Sequence, residues 1–177
     1  SVKKNLSIVC FNKKQWIGNG YTIPAGPLRE KLSALNRAHC VMINGEKNIA
    51  IENEILKKNK LIKIFYCKFV PINISEFKGQ RVVCFAGIGN PNNFFEIVKN
   101  NKTNVIDQIS FPDHYNYSKK ELDNLIKKAV NTNSILLTTE KDYLRIDQKY
   151  RKNINYIKIN LKIDKENEFL NEIKKII

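Results

Sequence analysis

Short apolar runs that alternate with helical patterns set the tightest limit on how this chain can fold. Residues 6–11, 40–43, 64–70, 81–85, 104–110, 134–138 and 155–163 each read as a strand. Between them, residues 28–38 place Leu28, Leu32 and Leu35 at helical spacing, and residues 92–99 gather Phe94, Phe95 and Val98 on one side. Ser118 has Glu121 three positions on, the spacing of a capping box, and residues 165–177 carry a stripe of Phe169, Leu170, Ile173 and Ile177. Strand and helix in turn at such short intervals predict an α/β layered fold with a largely parallel sheet. Residues 46–63 are polar, rich in Lys and Asn and weakly patterned, so a mobile connection or a boundary is expected there. Within that segment, Lys57-Lys58-Asn59-Lys60 reads as a solvated face. No fixed-period repeat occurs.

With 177 residues and 42% hydrophobic side chains, the chain has enough apolar matter for one domain, or one plus a fragment of another, which argues against disorder. Its 31 Lys+Arg against 17 Asp+Glu give a formal charge of +14, favouring an anionic partner: phosphate, nucleic acid or an acidic membrane surface. Charge does not choose among these three. Lys, Asn and Ile also recur where they look interchangeable, a sign of compositional drift, so part of the charge needs no function. The four cysteines, Cys10, Cys40, Cys67 and Cys84, have no CxxC spacing, and with two histidines in the chain they read as buried reduced thiols rather than a zinc site. No signal-peptide pattern is present and no apolar run approaches the ~20 residues of a membrane-spanning helix. The first residues run almost directly into a core strand, as though more chain preceded them.

Four stretches carry chemistry. In residues 18–30, GNGYTIPAGPLRE, three glycines and two prolines within ten residues fix an irregular backbone before the expected helix. Arg29 and Glu30 are expected in that helix's first turn, where the dipole favours Glu30 and opposes Arg29. Two readings stay open: a cation used on a ligand, or a structured turn with a surface ion pair. Residues 85–91, FAGIGNP, form a glycine-rich strand-to-helix loop that offers backbone N–H groups to anions, but without the Gly-Lys-Ser/Thr ending of a P-loop or the dinucleotide register. In residues 111–117, FPDHYNY, His114 is suited to moving protons, although an extended backbone would point Asp113 to the opposite side. The other histidine, His39, lies at the edge of an apolar strand. Residues 138–145, TTEKDYLR, leave the carboxyl end of a strand, where α/β sheets bind ligands; they read as a capping network or a polar binding wall.

Taken in order, GNGxxxPAGPLRE, FAGIGNPxxFF, FPDHxxY and TTEKDxxR resemble the tetraacyldisaccharide 4'-kinases, or lipid A 4'-kinases, over almost the whole chain. The resemblance implies transfer of the γ-phosphate of ATP, with Mg²⁺, to the 4'-hydroxyl of a lipid A disaccharide 1-phosphate precursor. It also implies a cytoplasmic enzyme peripheral to the inner membrane of Gram-negative bacteria. The family's fold is a P-loop kinase core joined to a second α/β domain. Its P-loop, its membrane-associating helix and the Asp-Asp-Gly segment that supplies the histidine's carboxylate partner have no match in these 177 residues. The resemblance is to the C-terminal part, with no complete cofactor or metal site, and it implies a chain inactive alone that works with an N-terminal half.

On that resemblance, residues 1–42 are expected to be a remnant of the kinase core, residues 43–147 the C-terminal α/β domain, and residues 148–177 a strand and helix returning to the core. His114 matches the catalytic histidine. Asn19, Arg29, Glu30, Asn90, Asp113, Thr139, Glu140, Lys141 and Arg145 match polar positions that line the substrate cleft. Two departures stand out: Asn12 where the family usually has an aspartate, and Tyr115 where a second histidine often follows the first. Outside the family, a basic nucleic-acid-binding module using Tyr115 and Tyr117 and an inactive remnant are the alternatives.

Overall fold

The structure, a computed structural model, describes residues 5–176. In chain order it contains β1 (Ile8–Asn12), a 3-10 turn (Leu32–Arg37), β2 (Cys40–Asn44), α1 (Ile49–Lys58), β3 (Lys63–Pro71) and a second 3-10 turn (Ile74–Phe77). There follow β4 (Arg81–Ala86), α2 (Pro91–Asn100), β5 (Asn104–Ser110), α3 (Lys119–Asn131), β6 (Ile135–Thr139) and α4 (Glu140–Arg145). The chain continues through α5 (Gln148–Arg151), β7 (Asn155–Ile157), β8 (Ile159–Ile163) and α6 (Glu166–Lys174). It is a mixed α/β fold with two four-stranded sheets, ordered β1-β2-β3-β8 and β5-β4-β6-β7.

Two compact units result: the chain up to Val70 together with Leu161 onward, and Pro71–Asn160. The divisions fall at 70/71 and 160/161, not at the expected 42/43 and 147/148, because β2 and β3 continue the parallel ladder begun by β1. The expected single strand over residues 155–163 is likewise two strands in two sheets. At the break, Lys158 N–H donates to Asn73 Oδ1 (2.8 Å) and Lys158 C=O accepts from Ile72 N–H (3.0 Å), so its backbone bonds leave the ladder.

In the first unit, β2 is apolar from Cys40 to Ile43 because both of its faces are covered there, as parallel strands require. Val41 and Ile43 pack with Leu35, Ile51, Ile55 and Ile62, while Cys40 and Met42 pack on the other side with Phe65, Cys67 and Phe169. The segment 46–63, expected to be a weakly structured connection, contains α1. Asn48 caps it by accepting from Ile51 N–H (3.2 Å), and Ile51 and Ile55, one turn apart, are its buried side. Conversely, the helix expected over residues 28–38 shrinks to a 3-10 turn from Leu32, because Leu28 pairs its backbone with Tyr21 and Ile23. On α6 Phe169 is buried but Leu170 is exposed, and Ile177 lies outside the described residues.

The second unit is an all-parallel sheet in which the period-two alternation of β4 sorts the core. Val82, Cys84 and Ala86 meet Phe94, Phe95 and Val98 of α2; Val83 and Phe85 meet Leu122, Leu125 and Ala129 of α3. Three cysteines are buried as expected, with burial pushing the Cys84 thiol up to about 12 and raising Cys40 and Cys67, whereas Cys10 is exposed. Shortening the fully buried Leu137 to Ala should destabilise the fold by about 2–5 kcal/mol, measured from the denaturation midpoint, while Leu144→Ala at a 63% exposed position should change it by less than ~0.5 kcal/mol. Equal losses would overturn the placement of β6 in the sheet's interior.

Candidate functional site

From β4 the chain passes through α2 outward to β5, and from β6 through α4 and α5 outward to β7. Neighbouring strands whose connections leave in opposite directions open a crevice at their carboxyl ends, the place where α/β sheets bind ligands. Gly87 follows β4 at that edge, and Thr139 to Arg145 follow β6.

Asp142 joins the two. Its side chain has no solvent exposure. Asp142 Oδ2 accepts from Gly87 N–H (3.1 Å) and from the Thr139 hydroxyl (2.7 Å), and Asp142 N–H donates back to Thr139 Oγ1 (3.1 Å) as the helix cap. Its other oxygen, Oδ1, has no hydrogen bond; its nearest cation is Arg145 Nη1 at 3.5 Å. Arg145 also donates to the Gly87 carbonyl (3.2 Å) and places Nη2 3.1 Å from His114 Nδ1. Thr138 ties β6 to β4 through Phe85 C=O at 2.8 Å.

His114 sits 79% exposed above this network in a left-handed conformation, φ +60°. That conformation costs a non-glycine residue about 1–2 kcal/mol, and here its N–H donates to both Gly87 C=O (3.1 Å) and Asp113 Oδ1 (3.0 Å). It also corrects the expectation that Asp113 points away: the backbone is not extended there, and Asp113 Oδ2 lies 3.8 Å from His114 Nε2. Behind the loop, Phe85, Phe111, Tyr115 and Tyr117 pack ring to ring, with centroids 4.9–6.4 Å apart. Burial, then the Asp142 charge, raises the Tyr117 hydroxyl pKa. The two tyrosines are therefore partly buried scaffold rather than exposed stacking faces. A side chain at Gly87 would place its Cβ 2.8 Å from the Tyr117 hydroxyl, which is why glycine stands there.

The structure brings His114, Asp113, Thr139 and Arg145 into one cluster. Asn90 lies beyond Gly89 as the cap of α2, accepting from Asn93 N–H at 3.3 Å. Glu140 and Lys141 are exposed on the first turn of α4 and take no part in the network. Asn19, Arg29 and Glu30 belong to the first unit. There the Asn19 amide braces its own loop, donating to Ala25 C=O (2.8 Å) and accepting from Tyr21 N–H (3.2 Å). Glu30 pairs with Arg37 and precedes the 3-10 turn, so the expected first-turn dipole contact does not exist; Arg29 and Glu30 border a groove along β1. Asn12 turns its side chain back on its own chain, accepting from Lys14 N–H at 2.9 Å. Among the described residues no three His, Cys, Asp or Glu side chains gather to hold a metal ion.

The sequence pattern does not single out Asp142 or Gly87, and it presents Tyr117 only as an exposed aromatic. Only Asp142 left a usable signal, as the third helical residue after a threonine cap.

A family model described as tetraacyldisaccharide-1-P 4'-kinase, LpxK, matches residues 1–177. The tetraacyldisaccharide 4'-kinase of Pelagibacter ubique is 44% identical over 179 residues, covering 99% of this chain and 57% of the relative. That of Rickettsia bellii is 39% identical, covering 81% of this chain and 44% of the relative. The chain thus spans about half the length of the curated relatives it matches. A crystal structure of LpxK from Aquifex aeolicus in complex with ATP shares the fold, with a TM-score of 0.64 at 24% identity over 98% of this chain and 53% of that one.

The capping carboxylate of α3 yields a pH prediction. Hydrogen bonds from Tyr115, then from the Ser118 hydroxyl and N–H, hold Glu121 below its ordinary value of 4.5. A depressed folded-state pKa adds stability that is present above the unfolded value and lost as pH falls through the folded one. The stability difference between the native chain and Glu121→Gln should therefore persist at neutral pH and shrink on acidification below about 4.5, as followed by denaturant titration at each pH. A difference independent of pH would refute it.

Proposed function

The chain belongs to the tetraacyldisaccharide-1-P 4'-kinase family, and from that premise we propose that it forms the C-terminal part of an enzyme that phosphorylates a lipid A precursor. The acceptor in this reading is the 4'-hydroxyl of a disaccharide 1-phosphate, and the donor is ATP. The unit containing β4 to β7 is the family's C-terminal α/β domain. β1, and the returning β8 and α6, belong with the nucleotide-handling core.

One observation carries the reading: His114 stands solvent-exposed at the crevice of a parallel sheet, on a loop fixed from beneath by Arg145, Asp142 and Gly87. A histidine so placed is suited to proton handling beside the acceptor hydroxyl. The chain's own residues supply this group and its support. They supply no Gly-Lys-Ser/Thr cradle for the nucleotide phosphates, so positioning and charge stabilisation of the transferred group fall to a P-loop half. The +14 charge suits a phosphorylated substrate, a polyanionic nucleotide and the acidic cytoplasmic face of the inner membrane. Peripheral attachment is the fitting mode, and among the described residues no helix is long and apolar enough to cross a membrane.

An ATP-dependent phosphorylation assay on the disaccharide 1-phosphate tests this directly. These 177 residues alone should give no transfer. Together with a nucleotide-binding half they should, and His114→Ala should then lower kcat by about 10²–10⁴-fold. An unchanged kcat would remove His114 from the chemistry, and turnover by the 177 residues alone would overturn the division of labour.

A further inference from the structure

A neutral imidazole has one N–H and one lone pair, and which nitrogen carries which is decided by its neighbours. The guanidinium of Arg145 has only donors. Its contact with His114 Nδ1 at 3.1 Å therefore needs the lone pair there, which leaves the hydrogen on Nε2, the nitrogen 3.8 Å from Asp113 Oδ2.

Arg145 is itself restrained. Its Nη1 lies between the Gly87 carbonyl and Asp142 Oδ1, a fully buried carboxylate oxygen that has no hydrogen bond and for which Arg145 is the neighbouring cation. Moving the guanidinium away would strand that charge, a strongly unfavourable state in a protein interior. The Gly87 carbonyl that accepts from Arg145 also accepts from His114 N–H, so backbone and ring of the histidine are registered to one atom.

We infer that Arg145, anchored by buried Asp142, is a positioning residue that selects the Nε2–H tautomer of His114 and turns that hydrogen outward. Asp142 acts through Arg145 and touches no reacting group. The inference rests on the reading of His114 as the proton-handling residue and deepens it. The nitrogen offered to a bound molecule is a donor, so His114 handles the proton by giving a hydrogen bond, or the proton itself, from Nε2 to an oxygen of that molecule.

Long-range ¹H–¹⁵N correlation of the imidazole rings in the labelled chain reads the tautomer directly, and with two histidines in the sequence a His39 variant assigns the signals. His114 should give the Nε2–H pattern. Arg145→Met should mix in the Nδ1–H form, and Arg145→Lys, which keeps a donor, should restore the native pattern in whole or part. Because Arg145→Met leaves Asp142 unpaired, the double variant Asp142→Asn with Arg145→Met serves where the single one does not fold. A dominant Nδ1–H form in the native chain, or an unchanged pattern in the variants, overturns the proposal.

In the active enzyme containing this chain, Arg145→Met should lower kcat by about 10²-fold with a smaller change in KM. A shifted tautomer with unchanged kcat would sink the proton-handling reading of His114 while upholding Arg145 as the group that sets the tautomer.

Discussion

A carboxylate with no access to water holds the ends of two neighbouring strands together, and the candidate site is built on it. Burying such a charge costs several kcal/mol unless hydrogen bonds and a cation offset it. Asp142 meets that demand with one backbone donor from the β4 edge, one hydroxyl from the β6 edge and a guanidinium from the far end of its own short helix. Each partner is fixed in return. Gly87 is held against the sheet, Thr139 caps α4, and Arg145 is pointed at the loop that carries His114. The exposed histidine thus stands on an ion pair whose carboxylate is buried, and its geometry is inherited, through the partly exposed Arg145, from an Asp142 that solvent does not reach.

Much of the fold was legible because its local signals agree with its packing. The apolar runs over residues 81–85 and 104–110, the Ser118–Glu121 box and the Phe94, Phe95, Val98 face all describe elements that bury what the pattern says they bury. Misreadings arose where tertiary contacts outweigh local pattern. Leu28 has helical spacing from Leu32, yet its backbone closes the glycine-proline loop. Residues 155–163 read as one strand because both halves are apolar, and nothing local marks Lys158 as the point where the chain changes sheets. α1 went unseen under its lysines and asparagines, although Asn48 and the Ile51–Ile55 pair were its cap and its buried side.

The site was legible in part, for a related reason. His114, Asp113, Thr139 and Arg145 stand out as polar residues at strand ends. Glu140 and Lys141 look equally polar, but the helix turns them to solvent while Asp142, two and one positions on, turns inward. Only the helical phase set by the Thr139 cap separates them. Tyr115 hydrogen-bonds Glu121 at 2.6 Å and packs on Phe111 and Tyr117. The residue after His114 therefore serves here to fasten the loop to α3, and the support of His114 comes from Arg145 and Asp113 instead.

The excess positive charge, the most conspicuous number in the composition, is not concentrated in the candidate site's own bonded network. The charged groups bonded to His114 or to the network beneath it are Asp113 and Asp142 against Arg145, with Glu121 held by the neighbouring Tyr115, so carboxylates outnumber cations among these bonded groups inside a chain of charge +14. An acidic cluster does not by itself attract an anion, so long-range attraction of anions falls to the field of the lysines elsewhere in the chain. Such a field guides anions over distances of about a Debye length and loses force as salt rises. In the role proposed for His114, recognition is instead short-range, set by where Arg145 and Asp142 place one donor. The two layers are separable: the first depends on how many lysines there are and tolerates drift among them, whereas the second depends on individual residues such as Asp142 and Arg145 and does not.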